Sequence, residues 1–398
     1  MENTQFLVQM LSYYNSAFSK AGRNSLMEIL LLSLYILVFL CITGDARIHG
    51  SVPEKSKLFE LYQGDSGIYR ENFVITSLTE TGCNLFSGKW VHDVSYPLYN
   101  AADCPYISTQ INCRPNGRPD SDYEKWRWQP DGCTIPRFNS KDMLEKLRGK
   151  RLMFIGDSIS RGQFESMVCL LQEGIPSNKK SMVNKTPLST FKALDYNTSI
   201  ELFWAPFLVE LETNKEGKKI LHLDSIENNG VYWKGADILI FESSHWWDHS
   251  GGSSGQTWDI AMEGSTTYSN IDPMVAYRKA LNTWTNWANS QIDFKKSKVF
   301  FSTMAPRHSS CEKETEPVQN TSAYNPPLPP QVPILKQVLS STSFPFVMLD
   351  ITDMSQLRKD AHPSKYGSTH PTNSGDCSHW CIPGVPDIWN ELLYSFVG

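Results

Sequence analysis

Four short apolar runs, separated by segments with helical periodicity, constrain the fold of this 398-residue chain most strongly. The runs are residues 151–155, 237–241, 298–303 and 346–349. Short apolar runs bounded by charged residues or glycine are typical of parallel strands that are covered on both faces. Strands that alternate with helices predict an α/β sandwich with a central parallel sheet.

The helical segments are recognised by their periodicity and by their end residues. One helix follows the first apolar run, and its apolar positions at helical spacing are Phe164, Met167, Val168 and Leu171. Another has Asp272 as its N-cap and Pro273 in its first turn, which predicts a helix start there. Its apolar stripe, for which we expect core packing, is Tyr277, Leu281, Trp284 and Ala288. A last helix is predicted over about residues 387–396.

Two short motifs supply the residues of a possible catalytic triad. Gly156-Asp157-Ser158 directly follows the first apolar run, and the Asp-x-x-His motif of Asp376 and His379 lies near the C-terminus. A serine becomes nucleophilic when a histidine takes its proton and a carboxylate orients that histidine. The end of a parallel strand is also where open α/β sheets bind ligands. We therefore predict Ser158, His379 and Asp376 as catalytic residues, with Asp157 fixing the turn.

The chain resembles a known family over these motifs and over three further stretches. Residues 156–169 resemble the nucleophile block of the plant trichome birefringence-like proteins, which are cell-wall polysaccharide O-acetyltransferases related to SGNH/GDSL esterases. Residues 83–133 resemble the cysteine-rich segment of that family, and residues 355–360 and 376–393 resemble its C-terminal signature. The resemblance implies an SGNH/GDSL-like three-layer α/β sandwich with a central parallel sheet. The cysteine-rich N-terminal segment would pack on it.

The resemblance also implies an activity. The protein would transfer an acetyl group through an acyl-enzyme on Ser158 to a hydroxyl of xylan, mannan, xyloglucan or pectin. It would need an acetyl donor, either acetyl-CoA or another acetyl carrier, and no bound cofactor or metal. An acetyl esterase with the same triad is the alternative enzyme, because water can also attack an acyl-enzyme. A wall-polysaccharide binding protein that has lost catalysis is the third hypothesis.

Two positions depart from the family pattern, which usually has asparagine at both. This chain has Gly162 and Glu242 there. The second change bears on catalysis, because an asparagine amide can donate a hydrogen bond to a developing oxyanion and an ionised glutamate can only accept one. Three explanations stay open: backbone amides near Ser158 and Gly162 form the oxyanion hole, Glu242 is held protonated, or the site is impaired.

Nine cysteines indicate an oxidising compartment. Cys41 lies in an apolar segment. The other eight cysteines follow it in the sequence, and eight cysteines can form disulfides in 105 different pairings. The pairing that the resemblance implies is Cys83 with Cys133, Cys104 with Cys169, Cys113 with Cys381, and Cys311 with Cys377. A zinc site from Cys377, His379 and Cys381 is the alternative, but the spacing is not typical of zinc ligands.

The N-terminal region predicts a membrane anchor. Residues 26–43 are almost wholly apolar, and basic residues precede them, which predicts a cytosolic N-terminus. A cleaved signal peptide is the competing interpretation. On the anchor hypothesis the chain divides into a cytosolic tail (1–25), a signal-anchor helix (26–43), a luminal stem (44–81), a cysteine-rich segment (82–140) and a catalytic domain (141–398). The predicted location is the Golgi membrane, in single-pass type II topology with a luminal catalytic domain.

Charge and local motifs narrow the partners further. The net charge of −5 argues against a nucleic-acid binder, which usually has a basic face. The run His245-Trp246-Trp247-Asp248-His249 contains aromatic residues that could stack on sugars or pack in the core, and two histidines that could bind a metal. The metal hypothesis is weak, because a glycine-rich segment follows and histidines four residues apart need a helix to converge. The Asn184, Asn197 and Asn320 sequons predict glycosylation in a secretory lumen.

Overall fold

The computed structural model describes residues 83–248, 257–319, 324–367 and 375–397. The predicted cytosolic tail, membrane anchor and stem lie outside these residues, as do Cys41, His249 and Asn320. Within the four described ranges, no helix is both long enough and apolar enough to cross a lipid bilayer.

Strands form three sheets in the described part of the chain. In chain order they are β1 (Gly88–His92), β2 (Trp126–Pro130), β3 (Arg151–Gly156), β4 (Lys180–Val183), β5 (Leu188–Ala193), β6 (Thr198–Trp204), β7 (Glu210–Thr213), β8 (Lys219–His222), β9 (Ile238–Phe241), β10 (Ile260–Glu263), β11 (Thr266–Tyr268), β12 (Lys298–Ser302) and β13 (Val347–Leu349).

Helices connect and cover these strands. The α-helices are α1 (Ser140–Lys146), α2 (Ser158–Gln172), α3 (Glu227–Trp233), α4 (His245–Asp248), α5 (Pro273–Gln291), α6 (Gln331–Ser340), α7 (Thr352–Gln356) and α8 (Val385–Phe396). Short turns of 3-10 helix are formed by Ala101–Asp103, Thr109–Ile111, Asp122–Glu124, Ser177–Lys179, Leu194–Tyr196 and Lys359–Ala361.

The central sheet has seven strands in the order β13-β12-β9-β3-β6-β5-β4. Its first five strands are parallel, and β5 and β4 continue the sheet in antiparallel pairing. The four apolar runs singled out from the sequence are β3, β9, β12 and β13, so the prediction of a parallel sheet is confirmed. A four-stranded sheet (β11-β10-β8-β7) and the hairpin of β1 and β2 complete the strands.

Apolar side chains cover both faces of the central sheet and give the predicted three layers. Along β3, Leu152 and Phe154 enter one core, whereas Met153 and Ile155 enter the core on the opposite face. This alternation follows from the two-residue period of a strand. Helices α2 and α8 pack on the first face, and α5 and α6 pack on the second. The predicted stripe on α5 is buried, and Asp272 caps that helix as expected.

The cysteine-rich segment is fastened to the sandwich by disulfides. Cys104 is bonded to Cys169 in α2, and Cys113 is bonded to Cys381 across 268 residues of sequence. The other disulfides are Cys83–Cys133 and Cys311–Cys377. All four pairs implied by the resemblance are therefore confirmed. Because Cys377 and Cys381 are both in disulfides, the zinc alternative at these residues is wrong.

A fully buried ion pair in the C-terminal signature contacts the cysteine-rich segment. The guanidinium of Arg358 bonds both carboxylate oxygens of Asp360 at 2.9 Å, and neither side chain is exposed to solvent. The same guanidinium donates to the carbonyl of Tyr123 at 2.7 Å and lies over the ring of Trp90. Bidentate geometry and the extra acceptor satisfy charges that would otherwise be costly to bury. This part of the signature therefore holds the cysteine-rich segment in place.

The turn after β3 requires glycine. Gly156 has a φ of +154°, and a Cβ atom there would lie 2.1 Å from the carbonyl oxygen of Glu242, the residue that follows β9. Glycine alone lets the ends of the two strands approach this closely. The approach sets the position of the helix that begins two residues later.

We predict that Gly156→Ala lowers the free energy of unfolding by about 3 kcal/mol or more, because the backbone must move to relieve the clash. The matched control is Gly217→Ala, where φ is +80° but no atom lies within 4 Å of the added Cβ. The control should lower the free energy of unfolding by only about 1 kcal/mol, which is the cost of placing alanine in a left-handed conformation. Denaturant unfolding under non-reducing conditions measures both. Equal losses in the two variants would contradict this explanation.

Candidate active site

The strand-turn-helix junction places Ser158 at the first residue of α2, at the carboxyl end of the parallel strands. Asp157 is the N-cap of this helix, and its Oδ1 accepts a hydrogen bond of 2.8 Å from the backbone N–H of Ile159. The predicted role of Asp157 in fixing the turn is therefore confirmed. Ser158 follows β3, from which the chain departs to one side of the sheet before returning to β9 on the other. Such switch points are the usual ligand sites of open α/β sheets.

The second motif lies on a loop that covalent bonds hold on both sides of His379. Cys377 is bonded to Cys311, and Cys381 is bonded to Cys113. Asp376 also forms an isolated antiparallel β-bridge with Ser364, in which the backbone N–H of each residue donates to the carbonyl of the other. Two disulfides and a β-bridge thus hold the loop that places His379 beside Ser158.

The structure brings the three predicted residues together. Nε2 of His379 lies 2.7 Å from Oγ of Ser158, and Nδ1 of His379 lies 2.8 Å from Oδ2 of Asp376. The serine and the histidine are 221 residues apart in sequence. With Nδ1 protonated and bonded to the carboxylate, Nε2 is free to accept the serine proton, which is the geometry that nucleophilic catalysis needs.

The Asp376 carboxylate is stabilised in its ionised form. Burial raises its pKa, but hydrogen bonds from the side chain and backbone N–H of His379 and from the N–H of Ser378 outweigh burial and hold the pKa well below its usual range. These backbone bonds are 3.0 and 3.1 Å long. A permanent negative charge at Nδ1 favours the imidazolium that forms when His379 takes a proton.

Gln110, from the cysteine-rich segment, completes the support of the acid-base pair. Its amide nitrogen lies 3.4 Å from Oδ2 of Asp376 and 3.2 Å from Nδ1 of His379. Its amide oxygen accepts a hydrogen bond from the Arg161 guanidinium, and Arg161 lies 3.7 Å from the Glu165 carboxylate. Burial raises the pKa of Glu165 to about 6. The cysteine-rich segment therefore contributes directly to the site.

A pair of buried histidines supports the loop from behind. Nδ1 of His362 donates to the backbone carbonyl of His379, and Nε2 of His362 lies 2.6 Å from Nδ1 of His308. Burial lowers the pKa of His362 to about 3 and that of His308 to about 4. The pair is uncharged at neutral pH and positions His379 through its backbone.

A small cavity adjoins Ser158. Its volume is about 10 Å³, close to the room that one water molecule needs. The residues that line it are Ile111, Ser158, Ile159, Gly162, His379, Trp380, Pro386 and Trp389. A Cβ at position 162 would meet only Ile111, at 3.8 Å, so the glycine leaves space there. Wider grooves, such as the 490 Å³ groove between residues 84–88, 324–329 and 350–357, contain none of the three triad side chains.

Glu242 lies beneath the nucleophile turn. Its side chain is 2% exposed, and its hydrogen-bonding neighbours are the Ser244 hydroxyl and the Asp157 carboxyl. The backbone N–H of Glu242 donates to the carbonyl of Ile155 at 2.9 Å. The residue therefore contacts the cap of α2 and not the Ser158 hydroxyl.

The aromatic run after β9 belongs to the core. Trp247 is fully buried and packs on Phe207 and Trp258, and Trp246 packs edge-on against Phe207. His245 is buried, and its Nε2 bonds the carbonyl of Ala305 at 2.5 Å. Core packing, one of the two interpretations offered for these tryptophans, is thus observed for Trp247, whereas Trp246 is half-buried against the same core.

Comparison with known proteins adds to this geometry. Residues 135–396 match the family described as "PC-Esterase: GDSL/SGNH-like Acyl-Esterase family found in Pmr5 and Cas1p", and residues 81–134 match the "PMR5 N terminal Domain". Protein trichome birefringence-like 36 from Arabidopsis thaliana is 45% identical over 330 residues, which cover 80% of this chain and 86% of that protein. The chain belongs to the trichome birefringence-like family. Its domain is of the acyl-esterase type, whose chemistry is acyl transfer or hydrolysis.

Other Arabidopsis thaliana members of the trichome birefringence-like family are similar over as much of their length. Protein trichome birefringence-like 38 is 42% identical over 79% of this chain and 84% of its own. Protein trichome birefringence-like 31 is 39% identical over 91% of this chain and 94% of its own.

Sequence reasoning missed the supporting residues of the site. Gln110, His308 and His362 are common residue types outside the recognised motifs, and only the fold shows what they contact. The one available signal was position: Gln110 lies three residues before Cys113, and the disulfide from Cys113 leads to the His379 loop.

We predict that Gln110→Leu lowers kcat about tenfold, because it removes the amide that donates to Oδ2 of Asp376 and accepts from Arg161, and so loosens the orientation of the acid-base pair. The thermal midpoint should change little. The control, Gln291→Leu, alters an exposed glutamine at the end of α5 and should leave kcat unchanged. Steady-state kinetics with a small activated acetyl ester measure the effect. An unchanged kcat in the Gln110 variant would show that this contact does not matter.

Proposed function

We propose that this protein is an O-acetyltransferase that moves an acetyl group from a donor to a hydroxyl of a plant cell-wall polysaccharide. The observation that carries the proposal is the hydrogen-bonded line from Ser158 through His379 to Asp376, in a chain of an acyl-esterase family. The resemblance that pointed to wall polysaccharides supports the acceptor class: xylan, mannan, xyloglucan or pectin.

The first half-reaction makes an acyl-enzyme. Oγ of Ser158 attacks the acetyl carbonyl of the donor while Nε2 of His379 takes the hydroxyl proton. Asp376 stabilises the resulting imidazolium. The tetrahedral intermediate then expels the donor's leaving group, which takes the proton from His379, and the acetyl group remains on Ser158 as an ester.

The second half-reaction regenerates the serine. A sugar hydroxyl attacks the acetyl-serine ester, and His379 takes its proton. Collapse of this intermediate forms the sugar ester and returns the proton to Ser158. With water in place of the sugar hydroxyl, the same steps release acetate, so exclusion of water separates transfer from hydrolysis.

The oxyanion would be stabilised at the N-terminus of α2. The first backbone N–H groups of a helix lack intrahelical partners and carry a partial positive charge. Ser158 is the first residue of α2, so the developing negative charge forms beside these groups. Glu242 faces Asp157 and Ser244 instead, so backbone amides would supply the oxyanion hole whatever the protonation state of Glu242.

The small cavity supports acetyl as the transferred group. Its volume of about 10 Å³ and its lining of tryptophan, isoleucine and proline side chains suit a methyl group next to Ser158. A longer acyl chain would extend out of the open side of the cavity or displace the side chains that line it. Shape selection of this kind distinguishes one or two methylene groups.

The compartment remains part of the proposal. Four disulfides fit a secretory lumen, and the sequon residues Asn184 and Asn197 are exposed, as glycan attachment requires. The apolar segment at residues 26–43 would anchor the chain in the Golgi membrane with the catalytic domain in the lumen. Acetyl-CoA or another acetyl carrier would supply the acetyl group.

We expect Ser158→Ala to lose at least a thousandfold in kcat for transfer while its unfolding midpoint stays within a few degrees, because the nucleophile is removed and no buried contact is lost. Ser160→Ala is the matched control, since the Ser160 hydroxyl lies on the same helical turn but donates to the carbonyl of Ile155 and not to His379. Full activity in the Ser158 variant would refute the assignment of the nucleophile.

Transfer and hydrolysis are separated by one assay. The full-length protein, with its disulfides formed, is incubated with an acetyl donor and a panel of unacetylated wall oligosaccharides. Mass spectrometry of the oligosaccharides and measurement of free acetate follow. We expect acetylated oligosaccharide from one acceptor class in excess over acetate. Acetate alone would instead support an esterase.

A further inference from the structure

Two buried carboxyl groups meet directly beneath the nucleophile turn. Asp157, the N-cap of α2, is 0% exposed, and Glu242, which follows the neighbouring strand β9, is 2% exposed. The two side chains lie within hydrogen-bonding reach of each other. The close approach of Gly156 to the backbone of Glu242 brings them together.

Each carboxyl uses one oxygen and leaves the other without a donor. Oδ1 of Asp157 accepts from the Ile159 N–H at 2.8 Å, and Oε1 of Glu242 accepts from the Ser244 hydroxyl. Oδ2 of Asp157 and Oε2 of Glu242 are buried and meet no donor among the described residues. Two carboxylates so arranged would repel each other and lose their hydration. A single proton between the free oxygens removes the repulsion and leaves one buried charge to be stabilised.

Local electrostatics place that proton on Glu242. The negative charge of Asp157 is stabilised by the N-terminus of α2, since its carboxylate caps that helix. Two further titratable groups among the described residues, His245 and Tyr277, face the pair. Burial lowers the pKa of His245 and raises that of Tyr277 far above its usual range, so neither supplies a compensating charge at neutral pH. Burial and the charge of Asp157 both raise the pKa of Glu242.

We propose that Glu242 is held as a neutral carboxylic acid that donates its proton to Asp157 and thereby positions the helix cap that presents Ser158. In this role the acid group replaces a side-chain amide, because both donate one hydrogen bond to Asp157 without adding charge. Glu242 is then a positioning residue that acts through Asp157. The proposal rests on the proposed function only for its effect on the rate.

The protonation state is tested by infrared spectroscopy of the full-length protein at pH 8.5, where the C=O stretch of a protonated carboxylic acid is separate from that of carboxylates. Burial raises the pKa of Asp387 to about 6 and that of Glu391 to about 7, so both are largely ionised at this pH. We expect one acid band that is lost in Glu242→Gln and kept in the matched control Glu391→Gln. Absence of the band, or its survival in Glu242→Gln, would overturn the proposal.

The positioning role is tested by kinetics on the same proteins. Glu242→Gln and Glu242→Asn keep a neutral donor and should retain kcat within about threefold at pH 7. Glu242→Met has a similar length but no donor, and it leaves the Asp157 oxygen unpaired, so kcat should fall about tenfold or more. The rate of the parent protein should also fall as pH rises and Glu242 ionises, whereas that of Glu242→Gln should not.

Two further results complete the test. Parental kcat in Glu242→Met, or the same loss at high pH in Glu242→Gln, would overturn the positioning role. The infrared band should also persist in Ser158→Ala, whose turnover we expect to be at least a thousandfold lower. If the band behaves as expected but no variant or parent transfers acetyl groups, the proposed function fails while the protonation state of Glu242 stands.

Discussion

The fixed position of the loop around His379 is the constraint on which the candidate site depends. A hydrogen bond of 2.7 Å joins Ser158, at the end of a buried strand, to a histidine on an irregular loop 221 residues away. Loops of this kind have many conformations, and holding one costs conformational entropy. Here the disulfides of Cys377 and Cys381 restrict the loop on both sides of the histidine. The geometry around Ser158 is thus set by cross-links outside the sheet.

The same constraint explains why the cysteine-rich segment and the sandwich act as one unit. The partner of Cys381 is Cys113, and Gln110 from that segment contacts both members of the acid-base pair. Arg358, which is paired with Asp360, makes a second buried contact between the two parts through the carbonyl of Tyr123. Loss of the cysteine-rich segment would therefore remove side chains that contact the site as well as part of the fold.

Much of the scaffold could be predicted because its signals are local. The strand at residues 151–155, the turn that Asp157 fixes and the start of α5 at Asp272 each depend on a few adjacent residues, and the structure has all three. The contact of Ser158 with His379 and Asp376 could be predicted because the two motifs contain all three residue types of a catalytic triad. The small sheet of β7, β8, β10 and β11 was not predicted, since its short strands mix polar and apolar residues.

The supporting contacts could not be predicted, and the reason is physical. Whether Glu242 is a charged acceptor or a neutral donor depends on its burial and on the second carboxyl beside it. Those quantities arise from long-range packing of β3 against β9. The same holds for His308 and His362, whose loss of charge follows from burial. The sequence identified Glu242 as a departure from the family pattern, and only the fold shows which groups Glu242 contacts.

The central claim is that the acetyl group passes through Ser158. The most direct measurement is mass spectrometry of the protein quenched in acid shortly after mixing with an activated acetyl ester and no acceptor. The account predicts one added acetyl group, located on the peptide that contains Ser158, and its loss when the acceptor oligosaccharide is added. Transfer of acetyl to the acceptor with no acetylated Ser158 at any time would contradict it.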